Sequence, residues 1–213
     1  RFCQVTGVQT CALPIFAVGN ALRVARLTHD NVLALSGACA VAAAVNRALS
    51  PDADLYSVLE AGLYGAVEGE RLGMECSRDV AGPRVVSKLE LALDIGLSPL
   101  PPELRAIEVR DRIGTGLHIA EAVPAAFGIL ASRRGDAMET LIDCVNIGYD
   151  TDTLATIAGG IAGALSGSEA FPEHFLPTLE SVNGFEIERL ADCIHELGLR
   201  APGLSAGKGG DSK

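Results

Sequence analysis

Apolar residues recur along most of the chain at the three- and four-residue spacing of amphipathic helices. Stretches rich in Gly, Pro, Ser, Asp and Asn interrupt this spacing and mark turns. The pattern predicts helices over residues 16–27, 32–49, 54–74, 84–95, 103–112, 117–127, 136–145, 154–165, 171–182 and 186–197. No stretch of any length alternates with the two-residue period of a strand. We therefore predict an all-α fold of about ten helices.

The composition favours a core of closely packed helices. The chain has 213 residues, which is enough for one domain with a proper core. Hydrophobic residues make up 48% of it, but aromatic residues only 4%. The core must therefore consist mainly of Ala, Leu, Val, Ile and Gly. Glycines 62, 65 and 69 in the third predicted helix indicate a close approach by a neighbouring helix.

The formal charge of −10 argues against nucleic acid or an anionic membrane as a partner, because either would repel this surface. No apolar run reaches the roughly 18 residues needed to span a bilayer. Cys39, Cys76, Cys144 and Cys193 lie in apolar helical contexts without metal-binding spacing. We interpret them as free, buried thiols of a cytoplasmic protein.

Residues 150–153 combine two carboxylates and two hydroxyls at the start of a small-residue helix. The oxygens of Asp150, Asp152 and Thr153 can converge on one point, and such oxygens suit a hard cation such as Mg²⁺ or Mn²⁺. The alternative is that Asp150 or Thr151 is simply an N-cap worth about 1 kcal/mol. Glycine recurs every fourth residue in the helix that follows, at 159, 163 and 167, so a neighbouring helix or a ligand must approach one face closely.

A second candidate segment is Gly114–Thr115–Gly116, directly before a predicted helix. Such a loop can bring backbone N–H groups close to a phosphate. No strand precedes it, as a dinucleotide-binding turn would require. Glu121, in the same helix, is expected to support the fold, and the sequence suggests no partner for His118.

The motif Asn146-x-Gly148-x-Asp150-Thr-Asp-Thr153 and its Ala/Gly/Ile helix resemble the carboxy-terminal metal motif of the ADP-ribosylglycohydrolase family. The resemblance covers most of residues 20–198. It implies an all-α fold, a centre of two Mg²⁺ or Mn²⁺ ions, and hydrolysis of the bond joining ADP-ribose to a protein or small-molecule acceptor. Tyr149 departs from the family, which usually has Gly there.

The resemblance also implies roles for individual residues. Asp150, Asp152 and Thr153 would bind metal. Thr28–His29 resembles a family turn whose histidine lines the ADP-ribose pocket, although a turn histidine with a local hydrogen bond is the alternative. The predicted substrate contacts are His29, Gly114, Thr115, Gly116 and Tyr149.

Half of the family's metal site has no counterpart in this sequence. In the family the other ligands come from an amino-terminal Thr-Asp-Asp-Thr-like segment and an upstream acidic residue, which is also the candidate acid/base. Residues 1–145 contain no equivalent, because Asp52 and Asp54 lack flanking threonines. We therefore expect an amino-terminally incomplete domain and an inactive chain, whose catalytic residue is unknown. The alternative function is a non-catalytic helical structural or interaction protein that retains the fold.

The ends of the chain differ in character from the rest. Residues 5–15 resemble the in-frame translation of a short-read sequencing adaptor and lack the apolar core of a signal peptide. We interpret residues 1–15 as non-native sequence, 16–200 as the carboxy-terminal part of one domain, and 201–213 as a disordered tail rich in Gly, Ser and Lys.

Overall fold

The computed structural model describes residues 14–200 and is all-α over that range, with ten helices and no β-strand. These are α1 (Pro14–Ala25), α2 (Val32–Ala48), α3 (Leu55–Cys76), α4 (Val85–Gly96), α5 (Pro102–Ile113), α6 (Ile119–Ser132), α7 (Ala137–Asn146), α8 (Thr151–Ser166), α9 (Phe175–Asn183) and α10 (Ile187–Arg200). The predicted fold class is confirmed. The interpretation of residues 1–15 as adaptor-derived lies outside the described residues except at Pro14 and Ile15, which begin α1, and that of 201–213 as a tail lies wholly outside them.

Several helices differ from their predicted bounds, including α8, which begins at Thr151 rather than at residue 154, and the two largest differences have identifiable reasons. The predicted end of α6 was near residue 127, but the helix continues through Pro124 to Ser132. Almost every residue of α6 is buried, so packing on all sides offsets the hydrogen bond that the proline removes. α9 begins at Phe175 rather than near Phe171, because Phe171 precedes a proline and is extended (φ −110°, ψ 153°).

Side-chain caps at the predicted turns define the start of three helices. Asn31 begins α2 by accepting a hydrogen bond from the backbone N–H of Ala34, 2.9 Å away. Asp54 begins α3 in a reciprocal capping box with Ser57. Asp136 begins α7 in the same way as Asn31. These local signals explain why the sequence located the helix starts well.

Glycines allow α3 to pack directly against α2. A Cβ atom on Gly69 would lie 2.6 Å from the Cβ of Cys39, and one on Gly65 would collide with the carbonyl oxygen of Cys39. Gly62 faces the ring of Phe127 in the same close way. The close approach predicted from these glycines is therefore present.

The glycines of α8 have separate explanations. A Cβ on Gly159 would lie 2.7 Å from a methyl group of Leu141 in α7. Gly163 is in ordinary contact distance of Phe171, and Gly167 ends the helix with φ +80°. At Gly159 the close neighbour predicted from the sequence is thus helix α7. At Gly167 glycine is favoured instead by the positive φ angle that ends the helix.

Helices α2, α4 and α6 begin at the same end of the domain. Leu33, Val85 and Ala120, which lie at their amino-terminal ends, pack in one cluster. At the opposite end, the buried Arg105 guanidinium donates hydrogen bonds to main-chain carbonyls at the carboxyl ends of α4 and α6, 3.2 and 2.9 Å away. Because the start of α8 is tied to the loop before α6, the positive ends of four helix dipoles lie at one end of the molecule.

The prediction of four buried thiols is half right. Cys39 and Cys144 are buried, and burial raises the pKa of their thiols to about 11 and about 12. Cys76 and Cys193 are exposed, because they lie on the solvent side of α3 and α10. Among the described residues, no helix is both long and apolar enough to cross a membrane.

Replacing Gly65 by Ala should lower the free energy of unfolding by about 1–3 kcal/mol, because the new methyl group meets rigid backbone of α2. Gly160 is the matched control, since a Cβ there would meet nothing within 4 Å. Gly160→Ala should raise stability by about 0.5–1 kcal/mol. Urea unfolding followed by circular dichroism measures both. Equal stability of Gly65→Ala and the wild-type chain would contradict this packing.

Candidate functional site

The acidic motif lies at the start of α8, and its backbone is tied to the loop before α6. Asp150 occupies the N-cap position, but its side chain makes no capping hydrogen bond. Its backbone N–H donates instead to the carbonyl oxygen of Thr115, at 3.0 Å. Thr151 is already the first residue of the helix. Asp150 therefore lies at the cap position, as the capping alternative expects, but without the side-chain hydrogen bond of a cap, and Thr151 is not the cap.

The oxygens of the motif are free to bind a ligand. Asp150 and Thr153 are half-buried, whereas Asp152 is exposed. None of these side chains makes a hydrogen bond or an ion pair with any residue from 14 to 200. The first N–H groups of α8 lie beside them and have no acceptor within the helix. Two carboxylates therefore lie at a helix start without an ion-pair partner in the part of the chain that the structure describes.

This donor set fits one side of a site for a hard divalent cation. Carboxylate and hydroxyl oxygens are the ligands that Mg²⁺ and Mn²⁺ prefer. Asp150, Asp152 and Thr153 provide two carboxylates and one hydroxyl within four residues. Over residues 14–200, no group of three His, Cys, Asp or Glu side chains is arranged to hold a metal ion.

The glycine loop is fastened to the segment that leads into α8. Thr115 is buried, and its hydroxyl donates a hydrogen bond to the carbonyl oxygen of Gly148, at 3.1 Å. Together with the bond from the Asp150 N–H, this places one hydrogen bond on each side of Tyr149. Two candidate segments that are far apart in sequence therefore form one structural unit.

Glu121 holds the glycine loop from the other side. Its carboxylate accepts a hydrogen bond from the backbone N–H of Gly116, at 3.0 Å. A Cβ on Gly114 or on Gly116 would lie 2.7 or 2.6 Å from that carboxylate oxygen. A side chain at Gly116 would therefore displace the Glu121 carboxylate, and Gly114 favours glycine in addition because of its φ of +92°. The expected supporting role of Glu121 has a specific form that the sequence did not reveal.

Two of the three backbone N–H groups of the glycine loop already have acceptors in this conformation. The Gly116 N–H is bound to Glu121, and the Gly114 N–H donates to the carbonyl oxygen of Arg110, at 3.1 Å. Contact of this loop with ADP-ribose stays a prediction, and it would involve the outer surface of the loop rather than these two N–H groups.

Tyr149 adopts an unusual backbone conformation beside this loop. Its φ is +72°, a left-handed value that costs a non-glycine residue roughly 1–2 kcal/mol. Its side chain is 84% exposed, yet a Cβ on Gly116 would lie 2.8 Å from a ring carbon. The ring thus lies across the glycine loop, one residue before the first carboxylate of the motif.

The two histidines near the starts of α2 and α6, His29 and His118, form hydrogen bonds with residues close to them in sequence. Nδ1 of His29 lies 2.9 Å from the hydroxyl of Thr28, and the side chain is exposed. Its hydrogen bonds with described residues stay in the turn before α2, so the structure does not join it to the glycine loop. His118 is the N-cap of α6 and accepts the Ala120 N–H at Nδ1, at 3.2 Å. Sequence offered little signal for this role, because His is not a favoured capping residue.

A large cavity lies away from these residues. It has a volume of about 850 Å³ and is lined mainly by apolar groups at the carboxyl ends of α2 and α8 and by α9. The acidic motif is at the opposite end of α8. This cavity therefore does not coincide with the candidate site, which is formed by loops and helix starts.

Comparison with known proteins identifies the group to which this arrangement is similar. The sequence model of the family described as ADP-ribosylglycohydrolase matches residues 7–203. The chain is 31% identical over 193 residues to ADP-ribosylhydrolase ARH3 of Gallus gallus, covering 81% of this chain and 50% of that protein. It is 28% identical over 193 residues to ADP-ribosylhydrolase ARH3 of Homo sapiens, with the same 81% and 50% coverage.

A bacterial relative gives a similar match. The chain is 28% identical over 167 residues to the uncharacterized protein YegU of Escherichia coli K12, covering 78% of this chain and 48% of that protein. The chain thus spans about half the length of the curated relatives it matches.

Replacing Glu121 by Ala should lower the free energy of unfolding by about 1–2 kcal/mol, because the Gly116 N–H loses its charged acceptor. Glu121→Gln keeps an oxygen acceptor, so its free energy of unfolding should fall by less than half as much as that of Glu121→Ala. Chemical denaturation measures both, and the amide resonances of Gly114 and Gly116 report the local change. If the two variants were equally stable, Glu121 would not hold the loop through this bond.

Proposed function

The chain belongs to the ADP-ribosylglycohydrolase family, and we propose that the protein hydrolyses the glycosidic bond between ADP-ribose and a protein or small-molecule acceptor. The observation that carries this proposal is the start of α8. There, the side-chain oxygens of Asp150, Asp152 and Thr153 make no hydrogen bond or ion pair with any other described residue. The relatives named ADP-ribosylhydrolase support the same chemistry.

In this proposal Asp150, Asp152 and Thr153 hold Mg²⁺ or Mn²⁺, and other residues supply the remaining ligands of a centre with two ions. Such ions would stabilise negative charge and lower the pKa of a water molecule that they bind. They would also allow a protein with a net charge of −10 to bind the anionic diphosphate of ADP-ribose.

The neighbouring residues are proposed to position the substrate. Gly114, Thr115 and Gly116 form a fixed wall beside the carboxylates, because Glu121 and the Thr115 hydrogen bonds hold the loop. The exposed ring of Tyr149 would contact the substrate and narrow the opening. His29 lies in the turn before α2, at the same end of the molecule, and remains a candidate contact.

Cleavage at the anomeric carbon of ADP-ribose develops oxocarbenium character and releases the acceptor. The proposed contribution of this part of the chain is to orient the ribose and to stabilise charge through Asp150 and Asp152. The acid/base group is not assigned to any residue. The acceptor is also not specified, so arginine-linked and serine-linked ADP-ribose are both suitable substrates for a test.

The alternative is a helical protein that keeps the fold for structural or interaction purposes. A structural protein does not need two carboxylates without ion-pair partners at one helix start. The carboxylates at the start of α8 therefore favour the enzymatic function. The two functions differ in a measurable property, which is metal-dependent binding of ADP-ribose. A cytoplasmic location also stays a prediction.

We expect the chain to bind ADP-ribose more tightly in the presence of Mg²⁺ or Mn²⁺, as measured by isothermal titration calorimetry. Asp152→Asn should weaken this metal-dependent binding at least about tenfold, because it removes one charged ligand. Asp94→Asn is the matched control, since Asp94 is an exposed carboxylate in α4 outside the candidate site. Equal binding by all three proteins would contradict the assignment of Asp152.

Release of ADP-ribose from arginine- and serine-linked substrates tests the chemistry with the same proteins. The prediction from the sequence is that this 213-residue chain is inactive, because no equivalent of the family's second ligand segment was found in residues 1–145. Metal-dependent turnover that Asp152→Asn abolishes would contradict that prediction of inactivity, while supporting the proposed reaction.

A further inference from the structure

The outer face of α3 carries a continuous stripe of exposed side chains. Its opposite face is buried and includes Gly65 and Gly69, which pack against α2. The exposed fractions of the large apolar residues on the outer face are 59% for Tyr56, 41% for Tyr64, 44% for Val67 and 53% for Met74. Glu60 and Arg71 complete this outer stripe. At 100° per residue the six positions lie within an arc of about 80°, along about 27 Å of helix.

The spacing of the outer stripe is that of a helix-packing seam. From Glu60 to Met74 the exposed positions are separated by four, three, four and three residues. This is the alternation of the a and d positions of a heptad repeat, which place side chains along one line of contact with another helix. No described helix covers this line.

The charges in the seam are incomplete within one chain. Glu60 makes no ion pair or hydrogen bond with any described residue. Arg71 binds Glu68 and Glu75, which lie three and four residues away on the same helix, at 3.0 and 2.8 Å. A partner for this face should therefore bring a cation to the position of Glu60, and it can add an anion beside the Arg71 guanidinium.

The same stripe on a second copy of the chain meets this requirement when the two α3 helices run antiparallel. Rotation about a two-fold axis between Gly65 and Ala66 places Glu60 opposite Arg71 of a second copy, and Tyr64 opposite Val67. Antiparallel coiled helices pair a positions with d positions in this way. Parallel pairing would instead oppose Glu60 with Glu60 and Arg71 with Arg71, which is unfavourable.

We propose that the outer stripe of α3 binds the same stripe of a second copy of this chain in an antiparallel, two-fold symmetric dimer. The interface is self-complementary, so it closes at two copies. It consists of a central Tyr64–Val67 contact on each side of the axis, flanked by two Glu60–Arg71 pairs. A single helix pair is small compared with stable dimer interfaces, so the association is reversible and depends on concentration.

Sedimentation equilibrium and multi-angle light scattering of the whole chain test this dimer. The mass should rise with concentration from 22.0 kDa towards twice that value. Glu60→Arg and Arg71→Glu should each raise the dimer dissociation constant at least about tenfold, because each substitution opposes like charges twice. The double variant Glu60→Arg/Arg71→Glu restores opposite charges and should restore the dimer.

The double variant keeps the result interpretable if a single substitution also changes the stability of α3. Glu90→Arg provides the same change of charge at an exposed position of α4 and should leave the dissociation constant unchanged. A chain that is monomeric at every soluble concentration would overturn the proposal. A dimer that persists through both single substitutions, or that the double variant does not recover, would overturn it as well.

Discussion

The candidate site depends on two hydrogen bonds that join segments far apart in sequence. The Thr115 hydroxyl binds the Gly148 carbonyl across 33 residues, and the Thr115 carbonyl accepts the Asp150 N–H. These bonds hold the backbone on both sides of Tyr149 and leave the carboxylate of Asp150 without a capping role. Because the backbone of Thr115 takes one of the free N–H groups, the side-chain oxygens of the α8 start remain available.

The remainder of the fold brings these segments together. α6 is buried along almost its whole length and is the element around which α2, α4 and α8 pack. As a result, the loop before α6 and the start of α8 meet at the end where four helices begin. Glycines allow close approach elsewhere in the fold, at Gly65 between α3 and α2 and at Gly159 between α8 and α7.

Local features of this structure could be predicted from the sequence, whereas contacts between distant residues could not. The helices and the caps at Asn31 and Asp136 follow from spacing and residue type within a few positions. The acidic motif was located at a helix start for the same reason. The bond between Thr115 and Gly148, the left-handed conformation of Tyr149 and the carboxylate of Glu121 against Gly116 depend on tertiary packing. No local pattern encodes them, although the glycines at 114 and 116 were a signal that something lies close.

If the start of α8 binds a divalent cation, paramagnetic Mn²⁺ will reveal the binding at individual residues. Bound Mn²⁺ broadens the amide resonances of nearby residues even when its affinity is low. We expect selective broadening of the amide resonances of residues 148–154 and 114–116. This broadening should disappear in an Asp150→Ala/Asp152→Ala variant. Absence of broadening at these residues, or equal broadening in the variant, would contradict cation binding at the start of α8.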